Sequence, residues 1–219
     1  MAVLPLVNER RMLLIGPTVS FDEISGPGDH FLGVMTPSSQ EVVSLAKVAC
    51  TVKEAWRVFV FFDEANPLYA FRLALAFSRE FETLGGAVIL SEAFHSGLHR
   101  QSVEVARRGL RSGADGVLVV AGAGDAAILC QQYRRIGGRD AMFSSGWAMR
   151  DGSLRAGGSP VEAAVFRHGF DQDSRAPDLP ADEGFRSDLG ATPTLSQFTL
   201  TGLLAFFLIS SDPLVLPDP

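Results

Sequence analysis

Cysteine is scarce in these 219 residues, with Cys50 and Cys130 the only two. A disulfide-stapled secreted miniprotein carries a dense, even framework, and a zinc site needs paired spacings such as C-x-x-C. Neither is present, and no metal site is expected. Both cysteines fall inside predicted helices and read as small buried hydrophobes. Clustered positive charge is missing too. Against 19 Lys and Arg stand 25 Asp and Glu, for a formal net charge of −6, and no basic stripe marks a nucleic-acid partner. Long apolar runs are absent: the longest, Leu203 to Ile209, falls well short of the about 20 residues that span a bilayer. The opening MAVLPLVNERRM has no extended apolar stretch ahead of a small-residue cleavage site, so no signal peptide is expected in this chain. Catalytic signatures are lacking as well. There is no G-x-S-x-G elbow and no P-loop, and Asp63 and Glu64 are adjacent, so their side chains diverge. His95 and His99 are spaced i, i+4 but sit in a Ser-Gly-Leu loop without an H-E-x-x-H pattern, and read as solvated loop residues. The chain is not expected to be an enzyme.

What is present is apolar material in a regular rhythm. At 47% hydrophobic and 20% charged, the chain has enough for a sizeable core. Met12 to Gly16 is a short apolar run ended by Pro17, which predicts a buried strand, and His30 to Thr36 is a second extended segment closed by Pro37. Ser38-Ser39-Gln40-Glu41 predicts a helix start, with hydroxyls placed to accept orphan backbone N–H groups and the helix running to about Val52. Strands are then predicted at Val58–Phe62, Ala87–Leu90, Gly116–Val120 and Ala141–Phe143, and helices at Pro67–Leu84, Gln101–Arg111 and Asp125–Ile136. Within Pro67–Leu84, Phe71, Leu75, Phe77 and Phe81 fall at helical spacing. Strand alternating with helix at this spacing predicts an α/β fold, a three-layer α/β/α lobe on a mainly parallel, flavodoxin- or Rossmann-like sheet. Beyond Trp147 the rhythm loosens: one more strand is expected within Val161–Phe170, then a Pro- and Asp-rich connector, and helices at Asp182–Leu189 and Ser196–Ile209.

One segment suggests a nucleotide. Gly122-Ala123-Gly124-Asp125-Ala126-Ala127 follows a predicted strand and opens a helix, matching G-x-G-x-x-G/A, with Asp140 about where a ribose-binding acid falls. Small residues there let a pyrophosphate approach the positive helix N-terminus. Against this, Asp125 puts a fixed negative charge at the anion site, and Asp140 precedes its strand instead of ending it. An NAD(P)-binding oxidoreductase domain using Gly122–Ala127 is therefore the alternative reading.

The better candidates lie where parallel sheets bind ligands, at the carboxyl ends of the strands. Thr18 and Ser20 follow the strand ending at Gly16; Asp63, Asn66 and Tyr69 follow Phe62; Ala123 follows Val120; Ser144, Ser145, Gly146 and Trp147 follow Phe143. Hydroxyls, helix N-termini and aromatic walls suit a small polar solute, especially one bearing a carboxylate.

Several stretches together resemble the type I periplasmic solute-binding proteins, the leucine/isoleucine/valine-binding proteins that serve branched-chain amino-acid ABC transporters. They are Ala2 to Val7 with Leu14-Ile15-Gly16-Pro17-Thr18, Phe31 to Pro37, the Asp63…Asn66…Tyr69 loop, and Phe81-Glu82-x-x-Gly85-Gly86. Ala114 to Leu118, Gln131-Gln132-Tyr133-x-x-x-Gly137, Ser145-Gly146-Trp147 and Phe185 to Pro193 continue the series. In Phe31–Pro37 Leu32 stands in place of an Arg, and in Phe185–Pro193 Leu189 in place of an aromatic. The resemblance covers roughly residues 2 to 207. It implies ligand-binding roles for Thr18 through backbone groups, Ser20 through its hydroxyl, and Tyr69 as the aromatic that closes over the ligand. Asn66 belongs to the same loop. Ala123 stands where relatives often have a Tyr, and Gly146 where some have an acid for the ammonium group. Both depart from ordinary amino-acid recognition, and Trp147 offers a flat apolar wall in their place.

The resemblance further implies a domain plan: residues 1–37 as a remnant of lobe one, 38–170 as a complete second α/β lobe, and 171–219 as a return into lobe one. The chain thus reads as truncated at both ends, with fragments of one α/β lobe around a whole one. The implied function is the extracytoplasmic substrate-binding component of an ABC transporter, holding a small amino-acid-like or carboxylate-bearing solute in the interlobe cleft, without a cofactor. The implied partners are that solute and, for the full-length parent, a membrane permease; a homodimer through exposed lobe-one surfaces is also expected. The parent would be periplasmic or extracellular.

Overall fold

The computed structural model describes residues 3–16, 19–20, 29–33, 35, 37–97, 99–148, 158–162 and 164–167. Within it the chain divides into two compact units, the second of which is Ser38–His168. In the first unit, helix α1 (Val3–Glu9) leads to β1 (Leu14–Gly16), which pairs in parallel with β2 (Phe31–Gly33). Both strands are shorter than the extended segments expected at Met12–Gly16 and His30–Thr36. Leu14 N–H donates to His30 O at 2.8 Å and His30 N–H to Asn8 Oδ1 at 2.9 Å, so the pairing starts only there.

The second unit contains the regular α/β rhythm: α2 (Ser38–Thr51), β3 (Arg57–Asp63), α3 (Ala70–Thr83), β4 (Ala87–Phe94), α4 (His99–Arg111), β5 (Gly116–Val120), α5 (Ala123–Arg135), β6 (Ala141–Ser144) and β7 (Ala164–Phe166). The five strands form one all-parallel sheet in the order β4-β3-β5-β6-β7. Counted within the unit this is the order 2-1-3-4-5, the doubly wound arrangement whose switch point lies between the first and third strands. Here those strands are β3 and β5. The expected sheet and its flanking helices are therefore observed. The helices expected at Asp182–Leu189 and Ser196–Ile209, and the whole of 171–219, lie outside the described residues.

A strand buried on both faces must be apolar through its interior, and Val58–Phe62 of β3 and all of β5 are. Even-numbered Val58, Val60, Leu118 and Val120 face a cluster with Val42, Leu45 and Ala49 of α2 and Leu73, Phe77 and Phe81 of α3. Odd-numbered Phe59, Phe61, Val117 and Val119 face Val105 and Ala106 of α4 and Leu129, Cys130 and Tyr133 of α5. Each fully buried side chain of this size contributes about 1.5–3 kcal/mol of transfer free energy. The aromatic stripe expected on α3 splits: Phe77 and Phe81 are buried, whereas Phe71 and Leu75 lie on the outer side, 48% and 39% exposed. Residues 71 and 77 are six apart, so a 3.6-residue repeat turns them to different faces. Where α4 crosses β3 the fit is tight enough to need glycine, because a Cβ on Gly109 would meet Phe59 at 2.6 Å. Gly85, at φ +91°, makes the left-handed turn that ends α3 and starts β4.

Four further element boundaries differ from expectation for identifiable reasons. Helix α3 begins at Ala70, not Pro67, because the Tyr69 and Ala70 N–H groups both donate to Asn66 O, at 3.2 and 2.8 Å, and close a turn first. Helix α5 begins two residues before Asp125: Gly122 is an extended N-cap whose carbonyl accepts from Ala126 N–H at 2.9 Å. Strand β4 continues four residues past Leu90, pairing as far as Asp63↔Phe94. Its polar Ser91 and Glu92 hid this, but β4 is an edge strand, and both oxygens of the Glu92 carboxylate accept from Arg108 Nε of α4, each at 2.7 Å. His99 accordingly opens α4 instead of preceding it.

Candidate functional site

The carboxyl ends of β3, β5 and β6 carry five of the seven expected site residues. Asp63 ends β3 and is buried; its Oδ1 accepts from Ala65 N–H at 2.9 Å and Ser96 N–H at 3.2 Å. It thereby ties the loop after β3 to the loop after β4. Asn66, half-buried, contributes the carbonyl that starts α3, and Tyr69 is the N-cap of that helix. Ala123 is the first residue of α5. Gly146 and Trp147 form a 3₁₀ turn with Ala148 directly after β6.

Tertiary packing brings Tyr69, Gly146 and Trp147 together. The Tyr69 and Trp147 rings meet edge to face, with centroids 5.5 Å apart. The Trp147 indole also approaches Gly122, where an added Cβ would lie 3.7 Å from the ring, so the wall reaches the N-terminus of α5 next to Ala123. Both rings are half-buried, leaving part of each open. Of the two residues in the first unit, Ser20 is half-buried and makes polar contacts of its own, and Thr18 lies outside the described residues.

Behind the rings lies a residue that was not singled out from the sequence. Glu41, in the first turn of α2, is only 6% exposed. Its Oε1 accepts from Gly146 N–H at 2.5 Å and its Oε2 from the Tyr69 hydroxyl at 3.2 Å. Burial raises its pKa above the usual 4.5, opposed by the Gly146 N–H, the positive charge of Arg167 and the Tyr69 hydrogen bond. Burial also raises the pKa of Tyr69, and the Glu41 charge adds to this, so the phenol stays protonated and donates. Ser145, between β6 and the turn, is fully buried, and its hydroxyl lies beside the Tyr69 phenol. A signal for Glu41 existed: it is spaced i, i+4, i+8 with Leu45 and Ala49, on the apolar face of α2. An acid on that face must find polar partners.

The nucleotide alternative fails on the same geometry. The Trp147 ring lies against Gly122, the first glycine of the fingerprint. Asp125 Oδ1 accepts from Gly97 N–H at 3.2 Å, which fills the helix N-terminus with a fixed carboxylate. Asp140 lies at the amino end of β6, the end of the sheet opposite the switch point, where it accepts a short hydrogen bond from the Tyr133 hydroxyl. Among the described residues no group of three or more His, Cys, Asp or Glu is placed to hold a metal ion.

No protein-family model matches the sequence, and no curated protein matches it. Solved structures do. The leucine-binding protein LivK of Thermotoga maritima superposes with a TM-score of 0.81 at 19% identity, over 95% of this chain and 59% of its own. The branched-chain amino-acid substrate-binding protein LivJ of Streptococcus pneumoniae, in complex with isoleucine, gives 0.79 at 16% identity, over 95% and 59%. An ABC-transporter solute-binding protein of Rhodopseudomonas palustris in complex with p-hydroxybenzoic acid gives 0.78 at 20% identity, over 95% and 57%. The fold is that of the solute-binding proteins of ABC transporters, as the sequence resemblance implied. The chain spans less than two thirds of the length of these neighbours.

Proposed function

We propose that this chain is a substrate-binding component of an ABC transporter, or a large part of one, and that its solute is a small carboxylate with a flat apolar body. The observation that carries the reading is the edge-to-face Tyr69–Trp147 wall beside the β3/β5 switch point, on a sheet of solute-binding-protein fold. The chemistry of the lining supports an aromatic or branched apolar solute over a highly polar one. Ala123 and Gly146 add no charge, and the acids at these strand ends are already engaged: Glu41 with Gly146 and Tyr69, Asp63 with Ala65 and Ser96, and Asp125 with Gly97. Structural neighbours hold isoleucine and p-hydroxybenzoic acid. The role proposed is binding without catalysis, in an extracytoplasmic setting, with a membrane permease as partner. Roles for Asn66, for Thr18, and for the Ser20 hydroxyl as a carboxylate contact are part of the same proposal.

The test is calorimetric titration of the protein with benzoate, p-hydroxybenzoate, leucine and isoleucine. Saturable binding of at least one, weakened by Trp147→Ala, is the expected result. Binding that Trp147→Ala leaves untouched removes the wall from the site. No heat from any of the four counts against a carboxylate solute.

A further inference from the structure

Glu41 is costly where it stands. An ionised carboxylate at 6% exposure, beside Val42 and Leu45, must be repaid by well-made hydrogen bonds. Its two oxygens go to different elements: one to the backbone N–H of Gly146, the residue before Trp147, and one to the hydroxyl of Tyr69, whose ring packs on Trp147. Three segments far apart in sequence are thereby joined at one side chain, 105 residues separating Glu41 from Gly146. We propose that Glu41 is the positioning residue of the site, holding the Tyr69 ring in register with the Trp147 indole by accepting from Tyr69 and Gly146 at once. As a statement about ligand grip this rests on the solute-binding reading above; as a statement about ring geometry it does not.

The arrangement depends on the charge state of one group. An ionised carboxylate accepts on both oxygens, whereas a protonated one turns one oxygen into a donor. One of the two bonds must then reverse or break. Among the described residues, the groups that face Glu41 are the Tyr69 phenol from the N-cap of α3, the Gly146 N–H from the turn after β6, and the Arg167 guanidinium charge from the segment after β7. Burial raises the Glu41 pKa above 4.5 against all three.

The experiment follows the emission of Trp147. The chain has two tryptophans, and Trp56→Phe leaves Trp147 as the sole indole. Ligand-free protein in this background is titrated from pH 4.5 to neutrality. A transition with a midpoint above 4.5, absent in Glu41→Gln, is expected. Tyr69→Phe keeps the carboxylate but removes one bond that stabilises its charge, so the transition should persist with a raised midpoint. No transition in the parent, a transition surviving in Glu41→Gln, or an unmoved midpoint in Tyr69→Phe each overturns the proposal. Tyr69→Phe also covers the case in which Glu41→Gln does not fold. A separate arm titrates benzoate and isoleucine at neutral pH, where Glu41→Gln should raise Kd about 3- to 10-fold, the value of one hydrogen bond. If the parent binds neither, the solute-binding reading is what fails, and the ligand-free emission still decides the role of Glu41.

Discussion

At the scale of single residues, the proposed site assigns Trp147 and Glu41 different parts. Trp147 presents surface, and truncating a half-buried aromatic that contacts ligand costs about 1–3 kcal/mol of affinity; titration calorimetry of Trp147→Ala is expected to read a loss of that size. Glu41 supplies order at the expense of stability. Its folded-state pKa is raised above 4.5, so the folded protein holds the proton more tightly than the unfolded chain. Stability is then fully present below 4.5 and is lost as pH rises through the folded pKa. Glu41→Gln has no such titration. Its melting temperature relative to the parent should therefore climb between pH 4.5 and neutrality, and a flat difference would show that burial does not shift this carboxyl. Trp147 and Tyr69 were legible as candidates because both fall in the segments that follow strand ends, where parallel sheets bind ligands. Glu41 was not, because its meaning lies in a partner 105 residues away.

At the scale of elements, β3 is the member on which the unit depends. Phe59 and Phe61 are at most 1% exposed, and their rings meet edge to face with centroids 4.0 Å apart between the sheet and α4. Phe61→Ala is expected to cost about 3–5 kcal/mol through the cavity it leaves, read as a drop in the urea midpoint. An unmoved midpoint would mean that the β3 register is wrong. The start of β3 is held by Asp115, whose Oδ1 accepts from Trp56 N–H at 2.9 Å and Arg57 N–H at 2.8 Å. Strands β3 and β5 were readable from composition alone, since apolar runs without alternation mean burial on both faces. The far half of β4 was not, because an edge strand tolerates Ser91 and Glu92, and only its pairing to β3 makes it a strand. The early start of α5 was likewise hidden in the backbone of Gly122, which side-chain capping rules do not see.

At the scale of the whole molecule, the second unit, Ser38–His168, has its own sheet, two helical layers and two apolar clusters. Its thiols report on that integrity. Cys50 and Cys130 are both free and buried, and burial pushes the Cys130 thiol up to about 12. Native protein should thus resist a thiol reagent at mildly alkaline pH, and both cysteines should label together on unfolding; rapid labelling of native Cys130 would contradict a closed α5–sheet interface. The amino-acid sequence by itself determined the layering: apolar runs of strand length, helical stripes between them and Gly-Gly stops force a parallel sheet covered on both faces, because no other arrangement buries those residues. It also determined which strand ends carry aromatic and hydroxyl side chains. Only the tertiary structure decided how those ends are arranged. Strand order 2-1-3-4-5 is a property of pairing, and it puts the switch point between β3 and β5. Packing also engaged the Asp125 carboxylate with Gly97 and Asp140 with Tyr133, against the nucleotide fingerprint that spacing had suggested. The same packing gathered Glu41, Tyr69 and Gly146 from three remote segments into one hydrogen-bonded corner, since a side chain's partners are set by where the folded chain places them and not by its neighbours along the chain.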